Sequence, residues 1–144
     1  RFKYSCFVNI VEEMELNLYP ESQRSVLFDL LSYANKIELN RLVLTTHSPY
    51  VINYLTLAAK AFLLTQKISA NETLQERIKE VVPADSAIDP ARLRIYELKD
   101  GGVFRLSTYE GLPSDENFLN IQLGVTNELF DQLLEIEQEF DYKN

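Results

Sequence analysis

The alternation of apolar and polar positions splits the chain into two unlike halves. In the first, Tyr4 to Val11 is a short run rich in β-branched and aromatic residues that ends in carboxylates, the pattern of a strand buried on both faces. Pro20 suits a first helical position. Val26, Leu27, Leu30, Leu31 and Ala34 then recur at helical spacing, which predicts a helix to about Ile37. Leu42 to Thr46 is a second apolar run of strand length. Ser48 is placed to cap a following helix and Pro49 to occupy its first turn; the helix should reach about Gln66. Strand, helix, strand and helix with short joints make a βαβ unit, so the strands should be parallel and the crossover right-handed.

The second half carries a different rhythm. Asn71 to Val82 is short and highly charged and predicts an exposed helix. Val82 to Pro90 predicts a loop. Arg92–Leu98 and Val103–Thr108 alternate like strands, and Lys99-Asp100-Gly101-Gly102 between them carries the Asp-Gly signal of a hairpin. Tyr109 to Gly124 shows no period. Thr126 or Asn127 is a candidate cap for a last helix, with Leu129, Leu133, Ile136 and Phe140 on one stripe. No repeat, low-complexity segment or linker divides the chain. The expectation is one α/β domain over residues 1–144: part of a mostly parallel sheet, with a C-terminal hairpin and helices packed on it.

Composition changes this picture in three ways. A hydrophobic fraction of 46% over 144 residues suffices for a packed core and argues against disorder. A net charge of −8 disfavours this stretch as a nucleic-acid surface, which needs clustered Lys and Arg. The single cysteine, Cys6, forms no internal disulfide or zinc site, fits a reducing cytoplasm, and is expected as a small buried hydrophobe. The longest apolar stretch, Tyr54 to Leu64, is too short to span a bilayer, so no membrane partner is expected. The chain opens on Arg1 and enters an apolar run at once, which reads as a piece of a longer protein.

Candidate chemistry gathers at the two strand ends. Glu12, Glu13 and Glu15 follow directly on the first strand, and like charges so close are unfavourable unless a cation or water compensates. The carboxyl ends of parallel strands are where α/β proteins bind ligands. His47, the only histidine, follows the second strand. One helix separates the strands, so the βαβ unit can bring both ends to one sheet edge. Taken alone, an acidic pair is more often a surface turn, and a lone histidine at a helix start a capping or surface residue. One His and one Cys make neither a His-rich metal site nor a Cys-His nucleophile, and no G-x-S-x-G is present.

The run Phe7 to Pro20 resembles the Walker B strand and following loop of ABC-type, AAA-like P-loop ATPases, in the branch whose motif reads roughly Glu-Glu-Pro-Glu-x-x-Leu-x-Pro. That branch includes the overcoming-lysogenisation-defect nucleases, anti-phage defence ATPases and RecF/SMC-type proteins. Leu44-Thr45-Thr46-His47-Ser48-Pro49 resembles the switch-histidine strand of the same group. The two motifs stand in the family's order and spacing over about residues 4–57.

The resemblance implies a partial P-loop sheet, ATP and Mg²⁺ as cofactors, and roles for matching residues. Glu12 is similar to the first Walker B acid, which helps hold Mg²⁺ through water and is Asp in most P-loop enzymes. Glu13 is similar to the catalytic glutamate that orients or deprotonates the attacking water. His47 is similar to the switch histidine that reaches the γ-phosphate. Asn17 and Leu18 fall in a segment like the D-loop, which touches a second ATPase lobe, so a homodimer is implied. Met14 stands where the family usually has Pro, which is expected to loosen the loop. No G-x-x-x-x-G-K-[ST] occurs, and the four glycines precede no lysine. The resemblance therefore implies the C-terminal part of an ATPase lobe, inactive without its phosphate loop. In the intact protein it implies ATP hydrolysis that drives lobe dimerisation and controls an attached effector, a nuclease or DNA engagement among the candidates. The alternative is a non-enzymatic acidic α/β module that binds a partner protein.

Overall fold

The computed structural model describes residues 6–143. The first half is a βαβ unit followed by a helix: β1 (Val8–Glu12), α1 (Pro20–Asn35), β2 (Arg41–Thr45) and α2 (Pro49–Lys67). The two strands pair in parallel, with Val8 opposite Arg41 and Glu12 opposite Thr45. Their carboxyl ends therefore finish side by side. Tyr4 and Ser5 of the expected first strand lie outside the described residues.

The strands are not buried on both faces as the apolar runs suggest. Val11, Leu42 and Leu44 pack against a core of Leu27, Phe28 and Leu31 from α1 and Val51, Leu55, Ala58 and Ala61 from α2. Val8, Ile10 and Val43 alternate with them and are exposed. A strand's side chains point to opposite faces in turn, and the helices cover one face only. Nothing among the described residues covers the other. Cys6, expected inside, is exposed.

Two buried asparagine and serine side chains hold the layers in register. Asn40 accepts from the Phe7 N–H at 3.2 Å and donates to the Tyr33 carbonyl at 3.2 Å, joining the start of β1 to the end of α1. Ser86 donates from Oγ to the Phe28 carbonyl at 2.9 Å. The segment expected as a loop contains two short 3₁₀ turns, Ala84–Ser86 and Pro90–Arg92, the first clamped onto α1 where Asn35 donates to the carbonyls of Asp85 and Ala87.

The second half follows its predicted order with shifted boundaries. Helix α3 (Glu72–Val81) is capped by the Asn71 side chain, which accepts from the Leu74 N–H, and none of its residues is buried. The hairpin β3 (Tyr96–Lys99) and β4 (Gly102–Arg105) turns at Asp100 and Gly101, whose φ values of 51° and 73° are those a tight two-residue turn requires. A second, very short hairpin, β5 (Thr108–Tyr109) and β6 (Leu112–Pro113), turns at Glu110 and Gly111 within the stretch expected to be irregular.

The last helix, α4 (Phe118–Lys143), begins well before Thr126. Asn117 starts it by accepting from the Asn120 N–H at 3.1 Å, and the Glu97 carboxylate accepts from the Phe118 N–H at 2.6 Å. Leu129, Leu133, Ile136 and Phe140 lie at helical spacing as expected, but all four are exposed, so this stripe of the helix is not packed on the sheet. The architecture is α/β, with a small two-stranded parallel sheet and a C-terminal helix, compatible with part of a P-loop fold. No helix among the described residues is long and apolar enough to cross a membrane.

Candidate functional site

Backbone geometry at the end of β1 determines where the carboxylates go. Glu12 is the last strand residue, on the same open face as Val8 and Ile10, and its carboxylate makes no ion pair with any described residue. Glu13 then leaves the strand with φ of 47°. A non-glycine residue in that region costs about 1–3 kcal/mol and persists only where its surroundings enforce it. Here they do. The Glu13 N–H donates to both the carbonyl oxygen and Oγ1 of Thr45, at 2.9 and 3.1 Å, across the β1–β2 ladder.

Beyond Glu13 the chain makes two consecutive turns. The Leu16 N–H donates to the Glu13 carbonyl and the Leu18 N–H to the Glu15 carbonyl, both at 3.0 Å. Asn17 takes φ of 59°, which asparagine tolerates better than most residues. Met14 does not loosen this loop. Its side chain is 7% exposed and belongs to the core cluster, so packing fixes the loop where a proline ring is absent.

His47 lies two residues past the end of β2. Its Nε2 stands 3.5 Å from Oε1 of Glu13, and its side chain is 83% exposed against 42% for Glu13. The βαβ unit therefore brings Glu12, Glu13 and His47 to one edge of the sheet. Asn17 and Leu18 lie on the adjoining loop, Asn17 exposed and Leu18 half-buried.

Two groups that the motifs do not single out organise this edge. Gln23, in the first turn of α1 and 7% exposed, donates from Nε2 to the Leu18 carbonyl at 2.9 Å and accepts from Ser48 Oγ at 2.7 Å. Ser48 therefore does not cap α2 through its side chain; its hydroxyl is committed to Gln23, and its N–H donates to Thr46 Oγ1. Glu15 Oε1 accepts from the His47 N–H at 2.5 Å. The sequence signal for Glu15 is the third carboxylate of the acidic run. For Gln23 there is only a polar residue on the apolar side of a predicted helix.

The Gln23 bridge makes a direct prediction. Gln23→Leu should destabilise the chain by about 1–3 kcal/mol, because Ser48 Oγ and the Leu18 carbonyl lose their partner in a buried place. Gln23→Leu with Ser48→Ala should cost less than the sum of the two single changes, since both ends of the Gln23–Ser48 bond are removed and only the Leu18 carbonyl is left unpaired. Urea unfolding of the four proteins checks this; strict additivity would show that the bridge carries no coupling.

Residues 8–53 match the family model described as "AAA domain, putative AbiEii toxin, Type IV TA system". No curated protein and no solved structure matches the chain. The matched span runs from β1 to the start of α2 and contains Glu12, Glu13, Asn17, Leu18 and His47. It supports a P-loop, AAA-like ATPase domain, and with it nucleotide-binding, ATPase-like function. ATPases of this type use nucleotide and Mg²⁺ in general.

Proposed function

We propose that this chain is the C-terminal part of an ABC-type ATPase lobe whose intact protein binds and hydrolyses ATP. The observation that carries the reading is the approach of Glu13 and His47, 3.5 Å apart at the carboxyl ends of adjacent parallel strands. A carboxylate and an imidazole in that arrangement can hold a water and an anionic oxygen at once. Glu13 orients the water and takes up its proton as the water oxygen bonds to the γ-phosphorus and the bond from that phosphorus to the leaving ADP oxygen breaks. His47 donates a hydrogen bond to the γ-phosphate and stabilises the charge that develops there.

Among the described residues, no group of three or more His, Cys, Asp or Glu side chains is assembled as a metal site. Mg²⁺ does not require one, because it keeps several waters and takes one or two carboxylates alongside substrate phosphates. The free carboxylate of Glu12 fits that donor set. Bound there through water, Mg²⁺ would neutralise charge on the phosphate oxygens. The backbone N–H cradle and lysine that grip the phosphates are absent from this sequence, so the ATP site is completed by chain outside it.

In the intact protein, the loop bearing Asn17 and Leu18 touches a second ATPase lobe, and hydrolysis drives association and release of the two. The cycle controls an attached or partner effector, a nuclease or DNA engagement being the classes this branch suggests, and the protein works in the cytoplasm. One observation favours the rival reading of an acidic interaction module: the exposed apolar side chains along α4.

Titration with Mg-ATP separates the readings. The 144-residue chain alone should not hydrolyse ATP and should bind it more weakly than low micromolar, about −8 kcal/mol. The same chain joined to its phosphate loop should bind ATP more tightly and hydrolyse it. Failure of the joined protein to bind ATP would leave the interaction module as the better reading.

A further inference from the structure

We infer that Glu15 is a positioning residue that fixes the His47 backbone against Glu13, an inference that rests on the ATPase reading above. The Glu13–His47 pair cannot hold its own geometry. Both side chains are solvent-accessible, and even a charged pair at such a place contributes little and is easily exchanged for water. Each partner must be placed through its backbone. For Glu13 this is done by Thr45, whose carbonyl and hydroxyl oxygens both accept from the Glu13 N–H. His47 lies beyond the β1–β2 ladder, which ends at the Glu12–Thr45 pair. Ser48 beside it is tied to Thr46 and Gln23, and the contact on the His47 backbone itself is the Glu15 carboxylate, which accepts from the His47 N–H.

The other carboxylate oxygen supports this assignment. Glu15 Oε2 is buried and accepts no hydrogen bond. A buried acceptor without a donor is unfavourable, and a solvated glutamate would avoid that cost. The carboxylate is held there by its neighbours. Met14 is anchored in the core immediately before it, and the two turns through Leu16 and Leu18 close the loop around it. The loop that carries Glu13 thus also carries the acceptor that places His47, so the two reacting side chains move as one body. Glu15 acts through His47.

The test uses the intact protein with its phosphate loop, in parent form and as Glu15→Ala, Glu15→Gln and Glu13→Gln. Glu15→Ala should lower kcat by about 10- to 100-fold, the order that a misplacement of about 1 Å costs, with KM for ATP unchanged. Glu15→Gln keeps an acceptor oxygen in reach and should recover most of the loss, which a generally weakened fold would not predict. Should Glu15→Ala fail to fold, Glu15→Asp, one methylene short of the His47 N–H, takes its place. Amide hydrogen exchange reads the tether itself. The His47 N–H should exchange about 10-fold faster or more in Glu15→Ala, with Leu42 and Leu44 unchanged. Parent kcat in Glu15→Ala beside an inactive Glu13→Gln would overturn the positioning role and leave the ATPase reading intact. Parent turnover in Glu13→Gln would overturn the ATPase reading instead. Unchanged His47 exchange in Glu15→Ala would overturn the tether in either case.

Discussion

Glu13→Gln in the intact protein is expected to lower the rate of ATP hydrolysis by about 10²- to 10⁴-fold, the usual contribution of a positioned general base. The substitution changes little else at the strand end. The backbone of residue 13 is held by its N–H bonds to Thr45, which the amide side chain leaves in place. Glutamine has the same reach and can still accept a hydrogen bond from the attacking water. It cannot take up the proton, and it lacks the negative charge that polarises the nucleophile. ATP binding should therefore survive, and if separation waits on hydrolysis as proposed, lobes loaded with ATP should accumulate as dimers. Glu12→Gln should behave differently. On the proposed function its carboxylate helps hold Mg²⁺, so nucleotide affinity should fall along with turnover. Phosphate release, nucleotide titration and mass in solution with ATP distinguish the two variants. Hydrolysis by Glu13→Gln at the parent rate would remove Glu13 from the reaction.

The features of this site that sequence reveals are those set by period and spacing. Parallel pairing of β1 and β2 follows from two apolar runs separated by one amphipathic helix, and it alone brings Glu12, Glu13 and His47 to one edge. The Asp-Gly hairpin and the Asn71 end of α3 are equally legible, because each depends on a few adjacent residues. What was not legible depends on contacts between distant parts of the chain. Val8 and Ile10 look identical to core residues in sequence; only the absence of a covering layer among the described residues exposes them. Ser48 has the identity of a helix cap, yet Gln23, 25 positions away, takes its hydroxyl. Helix α4 starts before Thr126 because Asn117, in a polar run with no apolar period before it, supplies the cap instead. Met14 is the clearest case. A missing proline suggests freedom, and burial supplies the constraint by another route.

Met14→Ala is accordingly the second change expected to have a large effect, about 2–5 kcal/mol of lost stability. The side chain is 7% exposed and lies in the cluster with Leu27 and Val51, both 0% exposed, so its removal opens a cavity in the middle of the core. Leu27→Ala should cost a similar amount, about 2–5 kcal/mol, for the same reason. Met14→Leu, which nearly conserves volume, should cost less than about 1.5 kcal/mol. Denaturant unfolding gives these values, but it does not distinguish a hole in the core from a released loop. Local exchange does. Met14 sits between Glu13 and Glu15, and the turns that follow are closed by the Leu16 and Leu18 N–H groups. Without the Met14 anchor those two amides should exchange faster than global unfolding accounts for, and the His47 N–H with them, because its acceptor rides on the same loop. In Leu27→Ala the loop keeps its anchor, so Leu16, Leu18 and His47 should speed up only as far as overall stability falls. Equal exchange at these three amides in the two alanine variants, after correction for stability, would mean that Met14 supports the core without placing the carboxylate loop.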